Sequence, residues 1–249
     1  MDKNEKMAEM LRRLKREMNG VAADSMREKG LRYGLSYGVS VPAVRRIARA
    51  YAPDHELALH LLRQDVRELK IAAFYVADPA RVTEAEIPFW EREIGTDELA
   101  EHAAVLFHAV PYASRTVAGW LRGENPLLAK CAFYAAGRRA AAGLASEKES
   151  DGLLPEMAAA VVRFGTSVVR PAVYALCRCA ACSESGARKV ESLCAAWENG
   201  DDAAGREIAS EVRALSGWRC LAEVVPLRSD AAEQGNCNRL LSTFGLPEN

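Results

Sequence analysis

Apolar residues recur at intervals of three and four along almost the whole chain, the period of an α-helix with one face in a core. The stretch YGVSVPAVRRIARAYA, residues 37–52, is a clear instance: Val41, Val44, Ala48 and Tyr51 form one stripe, and Arg45, Arg46 and Arg49 take the other faces. Ser40 is placed to cap this helix, and Pro42 is tolerated in its first turn, where backbone N–H groups have no helical acceptor. The N-terminal segment reads the same way, with Met7, Met10, Leu11, Leu14 and Met18 on one side. The pattern predicts helices over 3–18, 22–33, 41–52, 54–63, 66–78, 83–95, 97–108, 112–122, 126–141, 152–165, 167–182, 185–199, 202–216, 218–228 and 232–243, and no convincing strand. Pro53, Pro79, Gly95, Pro111, Gly123 and Gly200 punctuate them. The patch GRRAAAGLASEKESDG, residues 137–152, predicts a helix end followed by an exposed loop. No linker is long enough to divide the chain, so residues 1–249 are expected to form one domain with capping helices at both ends.

The pattern also repeats. LRQDVRELKIAAFYVA (62–77) overlays LRGENPLLAKCAFYAA (121–136) without a gap, matching Leu62 with Leu121, Arg63 with Arg122, Leu69 with Leu128, and two Ala-Phe-Tyr triplets. A weaker third copy is VVRPAVYAL, where Ala172, Val173 and Tyr174 fill the triplet's place. Each copy is a helix end, a short turn and a second apolar helix. One such pair cannot bury its apolar face alone, so pairs stack; a unit of roughly 40 residues marks HEAT-like arrays. The expected fold is therefore all-α, a HEAT-like or armadillo-type α-α superhelix whose concave side is lined by every second helix.

Composition agrees: 49% of residues are hydrophobic and only 7% aromatic, which suits closely packed helices. No uninterrupted apolar run approaches the ~18–20 residues of a membrane span, and the N-terminus lacks a signal-peptide core. Seven scattered cysteines argue against a disulfide framework, so a cytoplasmic protein with no membrane partner is expected. Charge changes the picture more. The net charge is −1, yet residues 1–50 carry +6, 51–110 carry −7, 111–190 carry +5 and 191–249 carry −5. A neutral protein built this way can still present a basic surface to phosphates.

The segment YGVSVPAVRRIARAYA, followed by HELALHLLRQDVRELKIAAFYVAD, resembles the N-terminal half of the DNA alkylation repair (AlkD-like) proteins. WLRGENPLLAKCAFYAAGRR and VVRPAVYALCRCA sit where that family has its next two signatures, so the resemblance runs from about residue 33 to 195. It implies a C-shaped array whose basic concave face holds double-stranded DNA by its phosphate backbone. For active members it also implies N-glycosylase excision of cationic 3- and 7-alkylated purines. Where the family has Trp-Asp-x-x-Asp, this chain reads Asp97-Glu98-Leu99-Ala100-Glu101, which makes Glu101 the candidate catalytic carboxylate. The family's Arg-Arg pair falls on Ala129-Lys130, and its Ala-Ile-Gly-Trp-Ala-Leu-Arg helix on Ala172-Val173-Tyr174-Ala175-Leu176-Cys177-Arg178. Both signature tryptophans are thus replaced, which removes aromatic faces that would receive an alkyl cation. Trp90, Trp120 or Tyr174 serves instead only if it points into the groove, and Trp120 and Tyr174 are the candidate groove aromatics.

Two functions follow. One is binding of damaged or distorted duplex DNA, with or without glycosylase chemistry; the other is a non-catalytic scaffold for a protein partner. The first needs Arg45, Lys130, Arg138, Arg139, Arg170 and Arg178 to share one surface, whereas the second tolerates their dispersal among acids. The remaining motifs point to no metal and no cofactor. Cys177-x-Cys179-x-x-Cys182 spreads over different helix faces with no fourth ligand nearby, and Gly34-x-x-x-Gly38 is a turn signal with no Lys-Ser/Thr after it. His102 follows Glu101 directly, about 100° around a helix, and so is not a ready acid/base partner. His108 is expected to pack near a helix end, and His55 and His60 to lie on a helix surface.

Overall fold

The computed structural model describes residues 2–31 and 33–216. The helices expected at 218–228 and 232–243 lie outside the described residues. Among those described, the chain is a succession of helices: α1 (Lys3–Arg16), α2 (Gly20–Glu28), α3 (Val41–Arg49), α4 (His55–Leu62), α5 (Arg67–Val76), α6 (Ile87–Glu93) and α7 (Asp97–Phe107). Then come α8 (Ala113–Arg122), α9 (Pro126–Ala141), α10 (Glu147–Phe164), α11 (Val169–Cys182), α12 (Glu184–Glu198) and α13 (Ala203–Ser216). Among the described residues the one extended pairing is an isolated bridge between Leu35 and Val66.

Side-chain oxygens begin most of these helices by accepting otherwise unpaired backbone N–H groups: Asp2, Asn19, Asp54, Thr96, Asn125, Ser146 and Ser183. Ser40 holds the cap position of α3 but makes no capping hydrogen bond, contrary to expectation. Helix α2, expected to run to residue 33, ends at Glu28, and the largest departure at a helix start is at residues 147–151, expected in a loop on their polar composition. They are the first turn of α10, started by Ser146 and favoured by Glu147 and Glu149 at the positive end of the helix dipole.

The helices form two layers. Helices α3, α5, α7, α9, α11 and α13 pack side by side in that order, and α1, α4, α8, α10 and α12 pack behind them. Alternation of inner and outer helices is the HEAT-like arrangement that the repeat predicted. An aromatic run crosses between the layers: Trp90 of α6 lies against His55, Phe74 and Phe107, and Phe107 meets Trp120 of α8 at 4.8 Å. His55 is therefore core rather than surface. It is buried at the head of α4, with Nε2 3.1 Å from the Glu86 carboxylate. The stretch Glu147–Cys182 contains a window long and apolar enough by composition to cross a membrane. Here it is broken at Gly165 into α10 and α11, which pack against α8, α9, α12 and α13.

A buried ionic cluster fixes the entry to α3. Arg67, 1% exposed, donates to Glu98 from Nε at 2.8 Å and Nη2 at 2.5 Å, and from Nη1 to Glu68 and to Val39 O. Glu68 is fully buried and accepts from the backbone N–H groups of Tyr37 and Val39 and from Ser36 Oγ. Tyr33 Oη donates to Glu98 at 2.9 Å. Burial, the largest single effect, would raise the Glu98 pKa, but the hydrogen bonds and charge of Arg67 together with the Tyr33 hydrogen bond outweigh it and hold the carboxyl below the usual glutamate range. Between these anchors Gly38 has φ +66°, and a Cβ there would lie 2.1 Å from Asn19 O. Glycine is thus required at the centre of the Tyr-Gly-Val motif.

Candidate nucleic-acid interface

The inner layer encloses a groove of about 780 Å³. Its walls come from five successive inner helices: Arg45 and Arg49 from α3, Tyr75 from α5, Asp97, Glu98, Glu101 and His102 from α7, Lys130, Tyr134 and Arg138 from α9, and Arg170 from α11. Helical spacing explains the set. On α9, Lys130, Tyr134 and Arg138 follow one another at every fourth residue and form the stripe of the helix that lines the groove. Tyr75 and Tyr134 are the same position of the Ala-Phe-Tyr repeat on two different helices.

Five cations thus face three carboxylates, and two of the three are already paired. Glu98 is held by Arg67, and Asp97 receives Lys130 Nζ at 2.6 Å. Glu101 makes no hydrogen bond or ion pair among the described residues; its charge raises the pKa of both Tyr75 and Tyr134, in each case after the larger effect of burial. Arg45 lies over the Tyr75 ring at 5.4 Å. Tyr75 Oη and His102 Nδ1 share a hydrogen bond of 3.0 Å. Burial depresses the His102 pKa to about 4, Glu98 opposing and Arg138, Arg67 and Arg45 adding to the fall, so the ring is neutral at pH 7. His108 Nδ1 lies 2.8 Å from Val105 O, near the end of α7 as expected.

Arg138 is the unusual member. It is 7% exposed, it lines the groove, and its Nε is buried without a hydrogen-bond partner among the described residues. Arginines in such places normally have a carboxylate or carbonyl to satisfy them, because an unpaired buried charge is costly.

Not every expected residue is here. Arg45, Lys130, Arg138, Arg170 and Glu101 share the groove. Arg139 does not: one residue further around α9, it is buried and donates to His108 O at 2.8 Å, Leu144 O at 3.0 Å and Glu149 at 2.9 Å, closing the α9–α10 connection. Arg178 is also buried, stacked on the Tyr174 ring at 5.4 Å outside the groove lining. Neither aromatic candidate faces the groove. Trp120 is on the outer side, with Nε1 donating to Glu91 at 2.6 Å, and Tyr174 is 1% exposed, its ring packed on Gly137 and near Tyr134. Trp90 is fully buried. Of the α3 arginines, Arg46 turns away to pair with Glu17 at 2.6 Å, while Arg49 joins the groove. Tyr75 and Tyr134 are the aromatics the groove does contain, and their repeat equivalence was the available signal.

An α-α solenoid with a cationic groove along its inner helices is the class that fold and site define. The chain belongs to the DNA alkylation repair enzyme family, whose model matches residues 10–147 and so spans α3, α5, α7 and α9 of the groove. A solved structure described as "A new family of proteins related to the HEAT-like repeat DNA glycosylases with affinity for branched DNA structures" superimposes with a TM-score of 0.64. The two chains are 18% identical over 85% of this chain and 83% of the other, which establishes a shared fold. No curated protein matches significantly.

Proposed function

We propose that the protein binds DNA by its phosphate backbone along the inner groove, with little sequence preference and with base excision at most vestigial. The observation that carries this is the convergence of Arg45, Arg49, Lys130, Arg138 and Arg170 from three helices, α3, α9 and α11, on one groove whose carboxylates are largely paired. Phosphate contacts supply affinity and positioning without reading bases. The structural relative is described as having affinity for branched DNA, and a preference for bent or branched duplexes is the corresponding expectation for this chain. Loss of both signature tryptophans leaves Tyr75 and Tyr134 as the groove's aromatic phenols among the described residues, which favours binding over catalysis. A protein scaffold would not need cations from successive helices to converge.

The test is a salt titration of binding to linear duplex and to a four-way junction. About four phosphate contacts predict a log–log slope near −3 to −4. Arg49 and Arg170 are exposed, so Arg49→Glu with Arg170→Glu should leave folding intact, weaken all duplexes alike and flatten the slope by about 2. Unchanged affinity in this double variant overturns the groove assignment.

A further inference from the structure

We propose that the floor of the groove is a site for a phosphate monoester, the terminal phosphate of a DNA strand, with Arg138 as its anchor. This rests on the DNA-binding reading and adds a specific ligand to it. The reasoning starts from the buried guanidinium. Arg138 is more than nine-tenths buried and lines the groove, and its Nε lacks a partner. Among the described residues no carboxylate pairs with this buried cation, which leaves a place for an anion from outside.

The neighbours fit one anionic group with several acceptor oxygens. Arg45 lies over the Tyr75 ring, Tyr75 is hydrogen-bonded to His102, and Arg138 lines the same groove and acts by its charge on both, so the two guanidiniums and the Tyr75–His102 pair are neighbours. Burial raises the Tyr75 pKa, so its hydroxyl keeps its proton and can donate to His102 Nδ1. Nε2–H of the neutral ring is then a donor for the groove. Guanidinium groups from α3 and α9 with an imidazole N–H in the same groove match a tetrahedral oxyanion better than a planar base edge. Glu101, on the same helix as His102, is the opposing charge.

The depth of Arg138 selects which phosphate. In intact duplex each phosphate is a monoanion flanked by two sugars on a convex surface, and it meets exposed Arg49 and Arg170 first. A strand end has one sugar, can leave the duplex surface, and carries a charge of about −1.5 to −2 at pH 7. Nicks, flaps and frayed ends present such groups.

The test compares otherwise identical flapped duplexes ending in 5′-phosphate, 3′-phosphate or hydroxyl, with inorganic phosphate as a competitor. The full chain should bind one of the phosphorylated ends about tenfold more tightly than the hydroxyl end. Millimolar inorganic phosphate should erase that difference while leaving hydroxyl-ended binding in place. Arg138→Met, similar in length but uncharged, should abolish the end preference and leave Tm unchanged or higher, whereas a purely structural arginine would lower it. Glu101→Gln should sharpen the preference severalfold.

Equal binding of all three ends, with duplex binding intact, overturns this proposal and spares the groove reading. If no duplex binds at all, the groove reading falls. Calorimetry with a 5′-phosphorylated dinucleotide then decides the pocket alone: Arg138-dependent binding supports it, and no binding overturns it.

Discussion

Arg67→Met should be among the most damaging single substitutions in the molecule, and more damaging than removal of its partner Glu98. Arg67 satisfies two carboxylates at once, Glu68 at 3.1 Å and Glu98 at 2.5 Å, and also Val39 O at 2.9 Å. Breaking a buried pair from one side costs about 3–5 kcal/mol, because the surviving charge stays buried. The two sides differ here. Loss of Arg67 strands Glu68, which is fully buried, so the full penalty of about 4 kcal/mol applies. Loss of Glu98 leaves Arg67 with Glu68 and a carbonyl, and the side chain removed was 19% exposed, so Glu98→Leu should cost about 2 kcal/mol. At about 2–4 °C per kcal/mol for a chain of this size, Arg67→Met should lower Tm by about 8–16 °C. Urea denaturation of both single variants and the double variant measures the coupling, expected at about 1–3 kcal/mol. Because the cluster also holds residues 36–39, Arg67→Met should release α3 and weaken DNA binding where the rest is still folded. A cost below about 1 kcal/mol for Arg67→Met, or a larger cost for Glu98→Leu, would refute the reasoning.

Two further outcomes can be measured. The His102 pKa in the folded protein is about 4 against 6.5 for the ordinary ring, so below pH 6.5 the unfolded chain takes up a proton that the folded chain refuses. The contribution to stability is complete above pH 6.5 and falls by about 3 kcal/mol as the pH drops toward 4; His102→Gln should flatten that part of the acid limb, and superimposable limbs would contradict it. Release of 7-methylguanine from alkylated duplex should barely exceed the spontaneous rate, and any excess should vanish in Glu101→Gln. Robust turnover that survives that substitution would place the chemistry elsewhere.

The helices were legible because their apolar spacing is local. The pattern starts α10 too late, since SEKESDG looks like a loop by composition while its Ser146 and following acids are start signals, and it runs α2 past its end at Glu28. The groove was legible in part. Arg138 and Arg139 are adjacent in sequence, so they point about 100° apart on α9, and a basic pair cannot say which one faces inward. The four-residue step from Lys130 through Tyr134 to Arg138 could have decided it. What the sequence could not show were tertiary partners: Glu91 drawing Trp120 outward, Glu149 claiming Arg139, and Glu98 meeting Arg67 from 31 residues away. Each depends on how separate helices stack, not on the pattern within one.

The contact between Gly137 and Tyr174 limits how this chain can change. A Cβ on residue 137 would come within 2.7 Å of the Tyr174 ring and 3.1 Å of Ala175 Cα, so alanine there forces α9 and α11 apart. Glycine at 174, the residue of the family pattern, would instead leave the volume of a phenol ring empty between the same two helices. Neither change is tolerated on its own. A mutational path that restores glycine at 174 must refill that volume from position 137 or cross a poorly packed intermediate. Grafting the family's tryptophan back at position 175 therefore means rebuilding position 137 and this helix contact as well.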